Sequence, residues 1–451
     1  MEKNINTREL ITDMLTEIYA KREYSHVLIK NILNKYNYLE ESDKAFIKRV
    51  TEGTLERGIQ IDYVLNAYSK VPVNKMKPFI RSLLRMSVYQ ILFMDKVPDS
   101  AACNEAVKLA GKRNFHNLKG FVNGVLRNVA RQKDNISYPD LAADPLQAIC
   151  IRYSMPKLLT SMMIQQYGVE KTKEIFAKLL EERNLCVRMK EQITKEEKEA
   201  VLREWEEKNI TFHVHPWLSY AYVIKGTERL SDLAGFQNGS YTVQDVSSMM
   251  VCEIAQIRKN DYVMDVCAAP GGKSLHACDK LNDTGIVDAR DVTAYKTELI
   301  LQNKERMHAD NLHVKVWDAT KKDETAIGKA DVLLLDIPCS GIGVIGKKPD
   351  IKYRLTEESL ESLAVLQKEI IDTVWEYVKP GGTLIYSTCT IRREENEDMV
   401  AYITQKYPFE TESVKPYVPE CLQDAEIKEG CLLLLPSDQS DGFFMARLKR
   451  K

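Results

Sequence analysis

The sequence predicts three domains: an all-α N-terminal bundle, a small α+β middle domain, and a C-terminal α/β domain of the doubly wound, Rossmann-like kind. Three observations predict it. The chain has 451 residues, enough for about three domains at roughly 150 residues each. The apolar spacing changes twice along the chain, from three-and-four spacing to mixed spacing and then to short continuous runs. In the last region those runs end at acids, glycines and cysteines, which is where open α/β sheets place their chemistry.

Residues 1–135 read as helices only. Leu10, Met14 and Ile18 recur at helical spacing, as do Leu83, Leu84, Val88 and Leu92. Polar or Pro-containing breaks such as Glu40–Asp43, Val71–Val73 and Val97–Ser100 separate the segments. A bundle of this kind buries its own core, and Ser137–Pro145, with two prolines, is the expected linker. Residues 146–240 mix helices (155–167, 169–182, 195–208) with short strands at 210–214 and 220–224, a small α+β domain. From 241 to 451, strands expected at 262–266, 285–291, 313–318, 331–336 and 383–387 alternate with helices, the pattern of a parallel sheet covered on both faces. Gly442–Leu448 suits a last antiparallel strand.

Composition excludes several function classes. Hydrophobic residues make up 44% and charged residues 29%, which argues against wholesale disorder. No apolar run reaches the ~18 residues of a membrane span, and the first residues lack the apolar stretch of a signal peptide. The ten cysteines form no Cys-x-x-Cys pair, so reduced thiols are expected, with no disulfide frame and no metal site. A cytoplasmic protein is the expectation. Net charge is −1, but residues 66–133 hold 13 Lys/Arg against three acids. That local surplus fits a phosphate-facing surface or a set of solvated helix faces, and charge alone leaves both open.

The expected strand 262–266 runs into Cys267-Ala268-Ala269-Pro270-Gly271-Gly272-Lys273-Ser274 and then into a helix. Small residues and paired glycines let a ligand approach the backbone. A phosphate loop would need glycine where Cys267 stands, and Pro270 removes an amide such a cradle would use. No Gly-x-Gly-x-x-Gly is present either. Asp291 ends the second strand about 20 residues past this loop, where a carboxylate grips ribose hydroxyls in doubly wound folds. Asp318 is expected to end the third strand, within reach of an adenine amino group, and Asp336 the fourth. Three acids in register beside a glycine loop point to a nucleoside site. Asp336-Ile337-Pro338-Cys339-Ser340-Gly341 and Ser387-Thr388-Cys389-Thr390 put two cysteines at loop openings beside polar residues. A structural cysteine is usually a buried small hydrophobe, which suits Cys150 and Cys252 better.

Together with Lys347-Lys348-Pro349-Asp350-Ile351-Lys352 and Glu394-Glu395-Asn396, these motifs resemble the RNA cytosine-5 methyltransferases. They are most similar to the bacterial RsmB (Sun/Fmu) group, which modifies 16S ribosomal RNA. The N-terminal helices resemble the NusB-like RNA-binding domain of that group. Arg152-Tyr153-Ser154-x-Pro156 and the stretch from Phe236 to Asp245 resemble its middle segment, which implies that 146–240 joins in RNA binding or links its neighbours, so the likeness spans essentially the whole chain.

The resemblance implies an S-adenosylmethionine-dependent methyltransferase domain at 241–451. Its cofactor would be held by Cys267, Ala268, Ala269, Pro270, Gly271, Gly272, Lys273, Asp291, Asp318 and Asp336. Asp291 aligns with the family's strand-end acid, which leaves Asp288 inside the strand. Cys389 would attack C6 of cytosine, Cys339 would assist elimination, and Asp336 would bond near N3 of the base. Covalent addition divides one hard step into two easier ones. DNA cytosine-5 enzymes attack with the Pro-Cys thiol, so a chain with both thiols points to RNA rather than DNA. Ile337 departs from the family's usual Ala. The expected partner is small-subunit ribosomal RNA, with no membrane and no obligate protein partner. The rival functions are a tRNA methyltransferase and a non-catalytic NusB-type RNA-binding protein.

Overall fold

The computed structural model describes residues 5–21, 23–181, 184–227, 229–422, 426–428 and 430–451. The chain divides into two compact units, Met1–Glu181 with Ile345–Thr356, and Glu182–Val344 with Glu357–Lys451. This division does not follow the expected boundaries at 135, 146 and 240. Residues 146–181 join the helical unit, and 182–240 join the sheet-bearing unit.

The first unit holds α1 (Thr7–Lys21), α2 (Ser25–Lys35), α3 (Glu41–Glu56), α4 (Gly58–Tyr68), α5 (Pro78–Phe93), α6 (Asp99–Lys112), α7 (Lys119–Gln132), α8 (Pro145–Arg152) and α9 (Lys157–Leu179). Its core joins Ile11, Leu15, Ile47, Leu65, Leu84, Leu126 and Val129, all fully buried. The helical spacing of these apolar positions dictates the bundle. At Gly168 the backbone leaves helical geometry (φ 78°, ψ 170°), which divides α9 where the sequence predicts two helices. The segment Ile345–Thr356 belongs here: Lys352 Nζ donates to the Glu56 carbonyl (2.5 Å) and Tyr353 Oη to the Leu55 carbonyl (2.6 Å).

Folding changes the meaning of the basic surplus. Arg85 is buried on Asp62. Lys112 pairs with Glu9, and Arg113 pairs with Glu9 and Asp13. Those acids lie on α1 and α4, outside residues 66–133. Lys70, Lys75, Lys77, Lys96, Lys119, Arg127 and Arg131 remain exposed.

The second unit contains two sheets. Strands β1 (Leu185–Met189), β2 (Thr211–Val214), β3 (Ala221–Lys225) and β4 (Tyr241–Val243) form an antiparallel sheet in the order β2-β3-β1-β4. Helices α10 (Lys195–Glu207) and α11 (Ala234–Gln237) lie between these strands in sequence, with Trp205 fully buried in this layer's core. After α12 (Val246–Ala255) come β5 (Tyr262–Asp265), α13 (Gly272–Leu281), β6 (Ile286–Asp291), α14 (Ala294–Met307), β7 (Leu312–Val316), β8 (Ala330–Asp336), α15 (Glu357–Val374), β9 (Val378–Thr388), α16 (Glu397–Lys406), β10 (Phe409–Thr411), β11 (Glu426–Lys428), β12 (Cys431–Leu434) and β13 (Phe443–Arg450). The large sheet runs β11-β12-β13-β9-β8-β5-β6-β7, with β10 on β13. Strands β9 to β7 are parallel, and β13 is antiparallel to β9. The order turns back at β5, because β6 and β7 extend one way and β8 and β9 the other. Ligands bind beyond the carboxyl ends at such a switch point. Among the described residues no helix is long and apolar enough to cross a membrane.

Two buried arginines tie helices to the sheets. Arg447 Nη1 donates to the Ile254 and Ala255 carbonyls (2.6 and 2.9 Å), capping the end of α12. Arg188 of β1, fully buried, pairs with Asp279 of α13 and donates to Gln244 Oε1 (2.8 Å). Removing one partner of such a pair leaves an uncompensated charge and costs ~3–5 kcal/mol, whereas replacing both with apolar groups is often close to neutral. All four tryptophans lie in the second unit, so their fluorescence follows its urea transition alone. Asp279→Ala is expected to lower that stability by ~3–5 kcal/mol, and Arg188→Met/Asp279→Leu by much less. Equal losses in the two variants would show that packing at this site, not charge, sets the cost.

Candidate active site

The loop from Cys267 to Gly272 leaves β5 at the switch point. Gly271 has φ 102°, a conformation that favours glycine, and Ile300 Cγ2 would lie 3.3 Å from an added Cβ. Asp291, at the end of β6, holds the loop: its Oδ2 accepts from the Ala269 amide (2.9 Å) and its Oδ1 from the Val292 amide (2.8 Å), with Lys296 Nζ at 3.0 Å. Asp288 lies inside β6 and is engaged elsewhere, by Arg290 and by Tyr262 Oη. Asp318 lies two residues beyond β7 rather than at its end, and its Oδ1 accepts from the Thr320 amide and hydroxyl (3.0 and 2.7 Å). The acids do not run along three neighbouring strands. Asp291 and Asp336 flank the β5 loop from either side, because β8 and β6 both pair with β5.

Strands β8 and β9 are parallel neighbours with Asp336 opposite Ser387. The loops that follow therefore leave the sheet side by side, and Cys339 Sγ lies 3.4 Å from Cys389 Sγ. Ser387 Oγ donates to Asp336 Oδ1 (2.9 Å), and Lys273 Nζ donates to Asp336 Oδ2 (2.6 Å). The sequence places Lys273 only in the cofactor loop, yet its ammonium reaches this pair of loops. Burial works against its charge, but Asp336, Asp265 and Cys389 outweigh burial and raise its pKa. The Cys339 thiol is raised well above the usual cysteine value, first by its hydrogen bond with Cys389, then by burial, then by the charges of Cys389, Glu395 and Asp336. Cys150 and Cys252 are buried, as a structural role requires.

Several residues of the site have no role that sequence reasoning identifies. Glu395 and Asn396, fully buried, bond the two cysteine loops; in the sequence they stand only as a motif. Gln367, also fully buried, falls at helical spacing among Leu360, Ile370, Ile371 and Val374. A polar residue on that apolar stripe is the available signal. Asp265, at the end of β5, accepts from Ser274 Oγ (2.6 Å), and its Oδ1 is buried without a hydrogen-bond partner. Burial is the main reason its pKa is pushed up to about 7, with the charge of Asp336 adding to it.

An aspartate in an unfolded chain ionises near pH 4. The folded chain keeps this proton to about pH 7, so it binds more protons between those values and its stability falls as pH rises through that window. Asp265→Asn cannot ionise. Its stability relative to the wild type should grow by roughly 2 kcal/mol between about pH 5.5 and about pH 8, at 1.36 kcal/mol per pKa unit. Urea midpoints read by tryptophan fluorescence measure this, and a pH-independent difference would place the titration of Asp265 outside the window.

Comparison with known proteins agrees with this architecture. Residues 253–449 match the family model for 16S rRNA methyltransferase RsmB/F, and residues 5–131 match the NusB family. The chain is 32% identical over 454 residues to the probable ribosomal RNA small subunit methyltransferase B of Bacillus subtilis strain 168, covering 100% of both. Among solved structures, that of PH0851 has the same fold over 100% of both chains (TM-score 0.82, 23% identity). The structure of NSun6 from Pyrococcus horikoshii with SFG matches 65% of this chain and 98% of its own (TM-score 0.58, 21% identity). The NusB-like helical bundle and the methyltransferase domain with its mixed sheet are both present, and the chain belongs to the ribosomal RNA small subunit methyltransferase B family.

Proposed function

We propose that this protein transfers a methyl group from S-adenosylmethionine to C5 of a cytosine in 16S ribosomal RNA, with Cys389 as nucleophile and Cys339 as the group that lets the product go. The observation that carries this is the pair of thiols 3.4 Å apart at the ends of adjacent parallel strands. Family membership supports ribosomal RNA as the substrate, and the NusB-family bundle supports RNA binding by the first unit.

The residues around the β5 loop fit an adenosyl group. Residues 267–272 carry only small side chains or proline, and the Asp265 Oδ1 beneath them has no hydrogen-bond partner. Each oxygen of Asp291 accepts one amide. A carboxylate oxygen has two lone pairs; Lys296 Nζ takes up the second on Oδ1, so Oδ2 keeps capacity for a ribose hydroxyl. Asp318 is the candidate partner of the adenine amino group. When bound, the cofactor supplies a methyl group on a sulfonium, an electrophile for C5.

The Cys339 thiol is held back from ionising by its contact with Cys389, by burial and by the acids beside it, and either sulfur of that contact could carry the hydrogen. That favours Cys389 as the thiolate, with the Lys273 ammonium close enough to interact with it. Attack forms a bond from Cys389 Sγ to C6 and turns C5 into an enamine-like carbon, whose electron pair forms the bond to the methyl group while the methyl–sulfonium bond breaks and leaves its electron pair on sulfur as a neutral thioether. Asp336, held by Lys273 and Ser387, is the candidate partner of the N3 edge of the base. Cys389, now a thioether, no longer raises the Cys339 pKa, and Cys339 loses its proton to water. Cys339 then takes the C5 proton. The C5–H electrons restore the C5–C6 double bond, the C6–S bond breaks, and the thiolate returns to Cys389. One proton is released overall.

Cys389→Ala is expected to lose methyl transfer by at least about 10³-fold while cofactor affinity stays within a few-fold. Cys339→Ala should methylate and then stall as a nuclease-sensitive protein–RNA band on a denaturing gel, absent from the double variant. A band with Cys389→Ala instead would reverse the two roles. Methylation by Cys389→Ala at the wild-type rate would remove the covalent mechanism.

RNA binding has its own test. Charge reversal at Lys75, Lys77 and Lys119 should flatten the salt dependence of binding to unmodified 16S RNA, by close to one unit of log–log slope for each duplex phosphate no longer neutralised. An unchanged slope would make these residues solvated helix faces.

A further inference from the structure

Glu395 and Asn396 are neighbours in sequence, and each grips one of the two thiol-bearing loops. Glu395 Oε2 accepts from the Ser340 amide (2.8 Å) and from Gln367 Nε2 (3.1 Å), and Gln367 Nε2 also donates to the Pro338 carbonyl (2.9 Å). The residues on both sides of Cys339 are thereby held. Asn396 treats Cys389 in the same way: its Oδ1 accepts from Thr388 Oγ1 (2.6 Å), and its Nδ2 donates to the Thr390 carbonyl (3.0 Å). Tyr386 Oη, from β9 itself, donates to the Glu395 carbonyl (2.5 Å) and ties the dipeptide to the strand that carries Cys389. Both side chains are fully buried, and a buried carboxylate is costly unless its bonds are specific.

We infer that Glu395 and Asn396 are positioning residues that serve different halves of the reaction, Asn396 orienting the Cys389 loop for attack and Glu395 orienting the Cys339 loop for release. This rests on the two-thiol mechanism proposed above. Asn396 bonds the residues on both sides of Cys389, and Glu395 bonds Ser340 directly and Pro338 through Gln367, so each acts on its thiol through the loop that carries it. Misplacement of a reacting group by 1 Å costs on the order of 10²-fold, and these loops have no regular secondary structure to hold them at that precision.

The test uses the full-length protein, unmodified 16S RNA and labelled S-adenosylmethionine in single-turnover reactions resolved on denaturing gels. Asn396→Ala should slow methyl transfer by about 10²-fold and accumulate no protein–RNA band. Thr388→Val, which removes the same hydrogen bond from the other side, should share that defect. Glu395→Ala should transfer the methyl group within a few-fold of the wild-type rate and then retain the RNA, as Cys339→Ala does. Glu395→Gln keeps an oxygen for the Ser340 amide and should restore release. Cofactor affinity by calorimetry should stay within a few-fold throughout.

Loss of methyl transfer and cofactor binding together in both alanine variants would make the pair a support of the fold, and the inference would fail. If Cys389→Ala and Cys339→Ala behave as proposed while Glu395→Ala and Asn396→Ala leave the same band pattern, the divided roles fall and the thiol mechanism stands. If Cys389→Ala methylates normally, the mechanism falls and the inference with it.

Discussion

Parallel pairing of β8 with β9 is the constraint on which the site depends. Asp336 stands opposite Ser387, and the side-chain period of a strand is two residues. A slip of one residue in either strand would turn Asp336 away from Ser387 and carry one cysteine loop to a different height above the sheet. The register is secured because Leu333, Leu334 and Ile385 are buried in the sheet's core, so a slip would expose them or bury polar neighbours in their place. Gly343 adds a second lock. Its amide donates to the Cys389 carbonyl (3.0 Å), and an added Cβ would lie 2.0 Å from the Gly442 carbonyl oxygen.

Around that register the charges of the site form one connected set. Asp336 accepts from Lys273 on one oxygen and from Ser387 on the other. Lys273 lies in the first turn of α13, directly after the loop beside which Asp291 and Asp265 stand. Its position links the proposed cofactor side of the pocket to the proposed base side. Burial holds Asp265 protonated up to about pH 7, so below that pH Lys273 pairs with Asp336 rather than with Asp265. Within the proposed mechanism this leaves the ammonium available to the Cys389 thiolate.

The helical unit illustrates how a local count misleads. The surplus of positive charge between residues 66 and 133 is a sum along the chain, but charges are neutralised through space. Glu9 and Asp13 of α1 meet Lys112 and Arg113, and Asp62 of α4 meets Arg85. The exposed positive surface is consequently smaller than the sum and is carried by other residues.

The sequence by itself determined what depends on neighbours along the chain. Helical spacing marked the bundle and the break at Gly168, continuous apolar runs marked β5 to β9, and the motifs marked the glycine loop, Asp336, Cys339 and Cys389. Such signals are local because helix and strand periods repeat within a few residues. The tertiary structure alone decided which residues meet. It joined 146–181 to the helical unit and 182–240 to the sheet unit, put Asp318 beyond its strand, and brought Lys273 onto Asp336 across 63 residues. Gln367 and Glu395 acquired their partners in the same way, from loops 28 to 55 residues distant. Hydrogen bonds of that range follow from strand order and helix packing, and neither property repeats along the chain.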